Sequence, residues 1–182
     1  MLRTITRLIR HRWLDAADAR RAVPPDLAER LRRRVAASEQ RHTGEVRICV
    51  EGGLPLSYLW RHLRDRVPIG QIVRQRALMM CSKLGVWDTA HDNGVLIYLN
   101  LAERAVELVA DRGVCRHVDA PAWQAMVDRM GSAFHAGRFE DGLTQALEEV
   151  SAVLTRHFPA PAVGADSAPP SPNELPDEPV LR

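Results

Sequence analysis

The hydrophobic pattern of the chain has two periods, and each predicts a different kind of element. Apolar and polar residues alternate over 45–51, which predicts a strand with one better buried face. Segments 94–100 and 105–111 are also strand-like, and the short connection between them predicts an antiparallel hairpin. About forty residues separate the first strand from the second, enough for a helical crossover that joins parallel strands.

Helical spacing of apolar residues dominates most of the remaining sequence. Prolines that suit a first helical turn, and glycines that suit a helix end, mark several boundaries. The pattern predicts helices over about 24–44, 69–84, 121–137 and from 139 onward. Residues 54–68 fit neither period clearly. The predicted fold class is therefore α/β: a small mixed sheet flanked by helices, in a three-layer-like α/β/α sandwich.

Composition narrows the class of protein. The chain has 182 residues, with 25 basic and 23 acidic side chains, which suits one ordinary domain. Its three cysteines are far apart and form no C-x-x-C pair, so the sequence indicates neither a disulfide framework nor a thiolate zinc site. The longest apolar run, 95–99, is too short for a signal peptide or a transmembrane helix. We expect a soluble, cytoplasmic chain that can lie at the periphery of the inner membrane.

Charge and proline content divide the sequence into three parts. Residues 1–23 form a basic amphipathic segment, 24–158 the α/β domain, and 159–182 a proline-rich acidic tail that we expect to be disordered. Within residues 1–14, apolar residues at helical spacing accompany four arginines and no acid. That helix could dock on the domain, which we favour, or lie on an anionic lipid surface.

Nucleic acid is not an expected partner. The arginines of 30–34 are nearly consecutive, so on a helix they point in different directions and form no single stripe. The chain also lacks the aromatic interleaving that is typical of single-strand binders. A solvated helix face explains these arginines better.

Three stretches of the sequence together resemble the TPM domain. They are HTGEVRICVE (42–51), WDTAHDNGVLIYLNLAERAVELVADRGV (87–114) and FHAGRFEDGLTQAL (134–147). The most distinctive features are the D-N-G before a hydrophobic strand, Arg104 in the following turn and Gly113 after the next strand. The resemblance covers about 24–157, most of the predicted domain.

The resemblance carries expectations about fold and function. The TPM domain is an α/β sandwich, and the family includes thylakoid-lumen phosphatase-like proteins, photosystem II repair factors and many bacterial proteins. Some relatives are described as acid phosphatases and as calcium binders. The resemblance therefore implies binding of calcium or another divalent cation, or of an unidentified, membrane-associated protein partner. It assigns no catalytic residue.

The predicted topology places one group of oxygen ligands at a single sheet edge. If the first two strands are parallel, Glu45, Asp92, Asn93 and Asp111 lie at that edge, and their carboxylate and amide oxygens suit a hard cation. A simpler interpretation stays open. Asp92 and Asn93 could only shape the turn into the second strand, with Gly94 relieving the backbone.

A second group lies at the opposite edge, where open α/β sheets usually bind ligands. Glu51 ends the first strand, and Glu103 and Arg104 lie in the hairpin turn. Glu51 and Arg104 are candidates for binding a phosphate or a partner. Arg104 could clamp a phosphate, or it could pair with Glu103 or Glu51 on the surface, which we favour.

A third group, Cys115-Arg116-His117, is compatible with nucleophilic chemistry but lacks a recognisable oxyanion cradle in sequence. Three functions follow. The first is binding of a cation or an assembly partner during maintenance of a membrane-associated complex. The second is a metal-assisted acid phosphatase that uses Asp92, Asn93, Asp111 and Arg104. The third is a peripheral membrane adaptor without catalysis.

Overall fold

The computed structural model describes residues 2–161 and 173–182, with side chains from residue 6 onward. Eight helices and four strands occur in these ranges, and groups of helices separate β1, the β2–β3 hairpin and β4 along the chain. The helices are α1 Leu2–Trp13, α2 Ala16–Ala22, α3 Pro25–Glu39, α4 Leu56–Arg64, α5 Ile69–Lys83, α6 Arg112–Cys115, α7 Ala120–His135 and α8 Phe139–His157. The strands are β1 Val46–Glu51, β2 Val95–Asn100, β3 Ala105–Ala110 and β4 Val180–Leu181.

The four strands form one open mixed sheet in the order β3-β2-β1-β4. β1 and β2 are parallel, with Val46 beside Val95 and Glu51 beside Asn100. β2 and β3 form the antiparallel hairpin. Both predicted chain directions are therefore confirmed, and so is the α/β sandwich class.

Helices cover both faces of this sheet. On one face, α3, α7 and α8, with part of α2, pack on the side of the central strands that presents Ile48 and Ile97. On the other face, α4 and α5 pack on Cys49, Leu96 and Tyr98. Alternation along β1 and β2 produces this separation, because successive side chains of a strand point to opposite faces.

The polar side of β1 is more buried than alternation alone predicts. All six residues of the strand are buried, including Arg47 and Glu51. Arg47 donates from Nη1 to the Glu178 carbonyl at 2.9 Å, and Glu51 is ion-paired with Arg76 of α5. Burial of a polar side chain costs free energy, and hydrogen bonds and ion pairs such as these reduce that cost.

The C-terminal segment differs from the predicted disordered tail. Residues 162–172 lie outside the described residues, but 173–182 are ordered along β1. Leu175 is buried with the α4/α5 cluster, and the Arg182 amide donates to the Val50 carbonyl at 2.9 Å. The proline-rich composition indicates poor core formation, whereas the ordering comes from pairing with a strand about 130 residues earlier, as for Arg47 and Glu178.

The helix predictions are confirmed to within a few residues, and the unassigned region 54–68 contains α4. Two short helices, α2 and α6, were not predicted. α2 has an Asp15 capping box that includes Asp18, a signal visible in the sequence. In residues 2–161 and 173–182, no helix has the length and apolar character that crossing a membrane requires.

Candidate functional site

The amino edge of the parallel strands holds the predicted cation ligands, and Glu45 is already engaged there. Its two carboxylate oxygens accept hydrogen bonds from the amides of Glu174 and Leu175, each at 3.2 Å. Burial raises the pKa of Glu45, and the two amides oppose that shift. Glu45 therefore binds the C-terminal segment of its own chain.

Asp92 and Asn93 shape the entry to β2. Asp92 has a positive φ of 52°, and Asn93 donates from Nδ2 to the Thr43 carbonyl at 2.9 Å. A Cβ atom on Gly94 would lie 2.0 Å from the Val86 carbonyl oxygen, so only glycine fits there. These contacts account for D-N-G as turn chemistry, the simpler interpretation of the motif.

Asp111 caps α6 rather than facing the other predicted ligands. Its Oδ1 accepts from the Arg112 amide at 2.6 Å, while its buried Oδ2 has no hydrogen-bond partner in the described part of the chain. Asp92 instead lies 3.9 Å from the exposed Arg112 guanidinium. Across the described ranges, no group of three or more His, Cys, Asp or Glu side chains could hold a metal ion. As arranged, the four predicted ligands do not fit a common calcium site, which would need six to eight oxygens.

Glu51, at the carboxyl edge, belongs to a buried network on the α4/α5 side. It binds the Arg76 guanidinium through both oxygens, and the Tyr98 hydroxyl donates to it at 2.5 Å. The ion pair raises the pKa of Arg76, and burial followed by the Glu51 charge raises the pKa of Tyr98. Sequence analysis missed Arg76, because its position among other α5 residues does not reveal a strand partner 25 residues away.

Arg104 does not contact Glu51, because the two side chains have different partners. It has a positive φ of 50° in the hairpin turn, and its Nη1 donates to the His135 carbonyl at the end of α7 at 2.7 Å. Arg104 thus serves the α7 side of the sheet, whereas Glu51 serves the α5 side. Their proposed common role in binding a phosphate or a partner stays a prediction.

Helix α1 covers part of the same carboxyl edge. His11 is buried, its Nδ1 accepts from the Leu54 amide at 3.0 Å, and its Nε2 lies 2.9 Å from Glu103. Because Nδ1 accepts, Nε2 carries the proton that is donated to Glu103. A Cβ on Gly53 would lie 2.3 Å from the His11 carbonyl oxygen, so the helix approaches this turn too closely for a side chain. The structure shows the docked arrangement of the N-terminal helix.

Docking uses the polar side of α1 and leaves apolar side chains exposed. Arg7 pairs with Glu103, and Arg10 donates to the Ala102 carbonyl at 3.0 Å. Ile9 and Trp13 remain 52% and 79% exposed. Arg7 and Arg10 therefore contact the protein, whereas the apolar side chains of Ile9 and Trp13 are largely exposed.

Other large apolar side chains are exposed on the α4/α5 layer, on which Leu8 of α1 also packs. We call this set the apolar-basic surface: Ile9, Trp13, Leu56, Trp60, Leu63, Leu78, Met79 and Trp87, with the exposed basic side chains of α4 and α5. Within the described ranges, no large apolar residue of α3, α7 or α8 is comparably exposed. The sequence did not reveal the exposure of Trp60, because residues 54–68 fit neither period clearly.

The architecture and this edge geometry define a class: an open, mixed α/β/α sandwich with a parallel β1–β2 pair and a β2–β3 hairpin. The sequence matches the family model described as TPM domain over residues 17–153. The chain belongs to the TPM domain family. Helix α1 and strand β4 lie outside the matched range.

Two solved structures support this assignment at the level of fold. The BA42 protein of the psychrophilic bacterium Bizionia argentinensis has a TM-score of 0.63 at 22% identity, over 84% of this chain and 90% of that one. The N-terminal domain of a P. gingivalis protein has a TM-score of 0.51 at 20% identity, over 71% of this chain and 76% of that one. A comparison with curated proteins found no match.

Proposed function

We propose that this TPM domain docks on an anionic membrane surface through the apolar-basic surface and acts there as an adaptor for a membrane-associated complex. One observation carries the proposal: the large exposed apolar side chains of the described residues all lie on α1, α4, α5 or directly after α5. Contiguous exposed apolar area on a folded protein marks an interaction site more often than scattered single residues do.

The charge of this layer favours an anionic lipid partner. Residues 55–84 contain six basic side chains and one acid. Arg76 is buried against Glu51 and adds nothing to the surface charge, whereas the other five basic side chains are exposed. Neither α4 nor α5 contains an acid, and α4 ends with Arg61, His62 and Arg64 in its last turn. A basic side chain close to an anionic bilayer contributes about 1 kcal/mol to binding.

The kind of apolar residue also suits a bilayer interface. Trp13 and Trp60 are 79% and 62% exposed, on helices flanked by arginines. Tryptophan is enriched at the headgroup level, where its ring is buried and its N–H stays hydrated. Two such anchors on separate helices would hold the domain in one orientation.

Cosedimentation with vesicles tests the proposal. The full chain should pellet with vesicles of phosphatidylcholine and 30% phosphatidylglycerol, and much less with pure phosphatidylcholine or in 0.5 M salt, where charges are screened. Replacing both Trp13 and Trp60 by Ser should reduce the pelleted fraction several-fold. Equal pelleting of parent and variant would overturn the proposal.

A charge-matched pair of variants locates the contact. Arg61→Ser with Arg64→Ser should weaken vesicle binding, whereas Arg33→Ser with Arg34→Ser removes the same charge from α3 and should not. Equal weakening by both pairs would show only a net-charge effect and reject docking by this surface. Concentration-dependent dimerisation without vesicle binding would assign the surface to a second copy and likewise reject the lipid proposal.

Cation binding is a second candidate, and the buried, unpartnered Oδ2 of Asp111 is the observation that favours it. An ion there would need further oxygens, so Asp92 would have to turn from Arg112. Calorimetric titration with calcium should give heat for the parent and none for Asp111→Asn. No heat from the parent would end this candidate.

The metal-assisted phosphatase stays a prediction. It would require Arg104 to leave the His135 carbonyl and join Asp92, Asn93 and Asp111 at one phosphate. Hydrolysis of a chromogenic phosphate by the purified chain, lost in Asp92→Asn, would establish it. Unchanged turnover in that variant would remove the assignment.

A further inference from the structure

An open pocket lies on the α7/α8 side of the molecule, away from the apolar-basic surface. The loop after α6 forms one wall, and helices α7 and α8 form the others, around a volume of about 620 Å³. Sites for small molecules commonly have volumes of about 300–1,000 Å³. The loop contains the Cys115-Arg116-His117 group that the proposed function does not use.

Charged residues around this pocket leave it with unpaired positive groups. Glu149 is bound by Arg129, and Asp119 is occupied at the α7 N-terminus, where it accepts from the Ala122 amide at 2.9 Å. Arg116 and Arg156 are exposed and form no ion pair with any described residue. Two guanidinium groups without a carboxylate therefore border the same opening.

Two imidazoles complete the rim. The rings of His117 and His157 stack with centroids 4.8 Å apart and an interplanar angle of 19°, and Phe158 meets His117 edge-on at 5.4 Å. Burial, followed by the charges of His117 and Arg156, lowers the pKa of His157. Stacked imidazoles next to arginine repel a second positive charge, and a bound anion would relieve that repulsion.

The floor of the pocket is apolar. Val118, Met126 of α7 and Val153 of α8 contribute the larger apolar side chains, and Ala122 and Ala152 also line the pocket. An oxyanion at the arginines would thus leave room for an attached apolar or planar group on this floor. Charged rim and apolar floor together describe an amphipathic anion.

We propose that this pocket binds a small molecule that carries a phosphate or carboxylate group, with the oxyanion between Arg116 and Arg156 and its apolar part on Met126 and Val153. Arginine suits both oxyanions because its planar group donates two parallel hydrogen bonds. The His157 imidazole takes up a proton when the anion binds. This site is independent of membrane docking, which uses the opposite helical layer.

The test uses isothermal calorimetry on the full chain with phenyl phosphate, benzoate and inorganic phosphate. Phenyl phosphate should bind more tightly than inorganic phosphate, because only the former covers the apolar floor. Arg116→Ser with Arg156→Ser should weaken phenyl phosphate at least tenfold, and the equally charged Arg33→Ser, Arg34→Ser variant should not. Equal affinity of parent and pocket variant, or no binding by the parent at millimolar ligand, would overturn the proposal.

Proton uptake gives a second measurement. Between pH 8 and pH 6 the affinity should rise, and heats in buffers of different ionisation enthalpy should show a proton taken up. Other ionisable groups facing the imidazoles are Arg116, Arg156, Asp119, Cys115 and the Arg129–Glu149 pair. His117→Gln with His157→Gln should abolish the uptake but keep binding; unchanged uptake would refute the role of the imidazoles. Benzoate binding as tight as phenyl phosphate would support a general oxyanion site, and binding of phenyl phosphate alone would support one for phosphate.

Discussion

The layer of α3, α7 and α8 holds the sheet through apolar side chains, whereas the layer of α4 and α5 adds a buried ion pair to its apolar contacts. The outer sides of the two layers show the opposite distribution of charged and apolar residues. Ion pairs such as Arg30–Glu140 and Arg129–Glu149 cover the first, while the second exposes large apolar residues. The outer surface of the first layer is covered by charged side chains and is well solvated, whereas the outer surface of the second exposes apolar side chains that water solvates poorly.

The difference separates stability from binding. Residues that contact the sheet should control unfolding in both layers, and residues on the outer side of α4 and α5 should control docking alone. Helix α1 extends the second layer, because it is fixed by Glu103 and Leu54 but exposes Trp13. Four measurements test whether stability and binding are controlled by these different residues.

The largest expected effect is in the apolar layer. Phe134 is fully buried, and its ring lies over Gly142, where a Cβ would approach it to 2.6 Å. Phe134→Ala should lower the free energy of unfolding by about 3–5 kcal/mol, because it leaves a cavity in a close-packed core. Urea denaturation measures this, and a loss below about 1 kcal/mol would contradict the assigned packing.

A somewhat smaller effect is expected at the ion pair of the other layer. Arg76→Met should cost about 3 kcal/mol, since it leaves Glu51 as a buried, unpaired charge. The double variant Glu51→Gln, Arg76→Met should recover most of that loss. Arg74→Met, at a half-exposed pair with Glu107, serves as the control and should cost less than about 1 kcal/mol. No recovery in the double variant would argue against the pair as the cause.

A pH dependence is expected where the C-terminal segment meets the sheet. Burial first, and then Glu45 and Asp177, raises the pKa of Glu39 to about 8 from 4.5. The folded chain therefore keeps a proton that the unfolded chain releases, so stability should fall as pH rises from about 4.5 to 8. The protection of the β4 amides from hydrogen exchange, measured against the intrinsic exchange rate at each pH, should fall over the same range.

Glu39→Gln isolates this contribution, because it keeps an acceptor for the Val46 amide without a titrating group. Burial lowers the pKa of His42 to about 4 from 6.5, which acts in the opposite direction below pH 6.5. The comparison is therefore made between pH 6.5 and 8. A parent as flat as Glu39→Gln over that window would disprove the assignment.

The smallest effect on folding is expected at Trp60. Trp60→Ser should change the free energy of unfolding by less than about 0.5 kcal/mol, because the side chain is 62% exposed. The same substitution should reduce vesicle binding measurably. Loss of stability comparable to that of Arg76→Met would show that Trp60 is a core residue and would remove the distinction between the two sides of the layer.

Topology was predictable because local signals determined it. The short hairpin connection requires β2 and β3 to be antiparallel, and the long helical crossover allows β1 and β2 to be parallel. The strand registers confirm both, with Ile48 beside Ile97 in the parallel pair. The sequence also placed Glu45, Asp92 and Asp111 at one edge of the sheet. It could not predict which groups their side chains would contact. Glu45 binds amides of 174–175, and Asp111 caps α6.

The remaining features depend on contacts between distant segments. Pairing of Arg76 with Glu51 and of β4 with β1 leaves no periodic signature, because each joins residues whose separation in sequence is arbitrary. Exposure of Trp13 and Trp60 is equally a property of the packed molecule, since the spacing of apolar residues does not show which of them the fold leaves uncovered. These are the residues on which the proposed docking depends.

Strand β4 also changes the status of β1. Without it, β1 would have one side of its backbone open, and this all-buried, largely apolar strand could pair with the same strand of another molecule. Shortening the chain before residue 173 is therefore expected to promote aggregation through sheet extension. The last ten residues therefore cover the outer backbone edge of β1, although their proline-rich, acidic composition predicts no structural role.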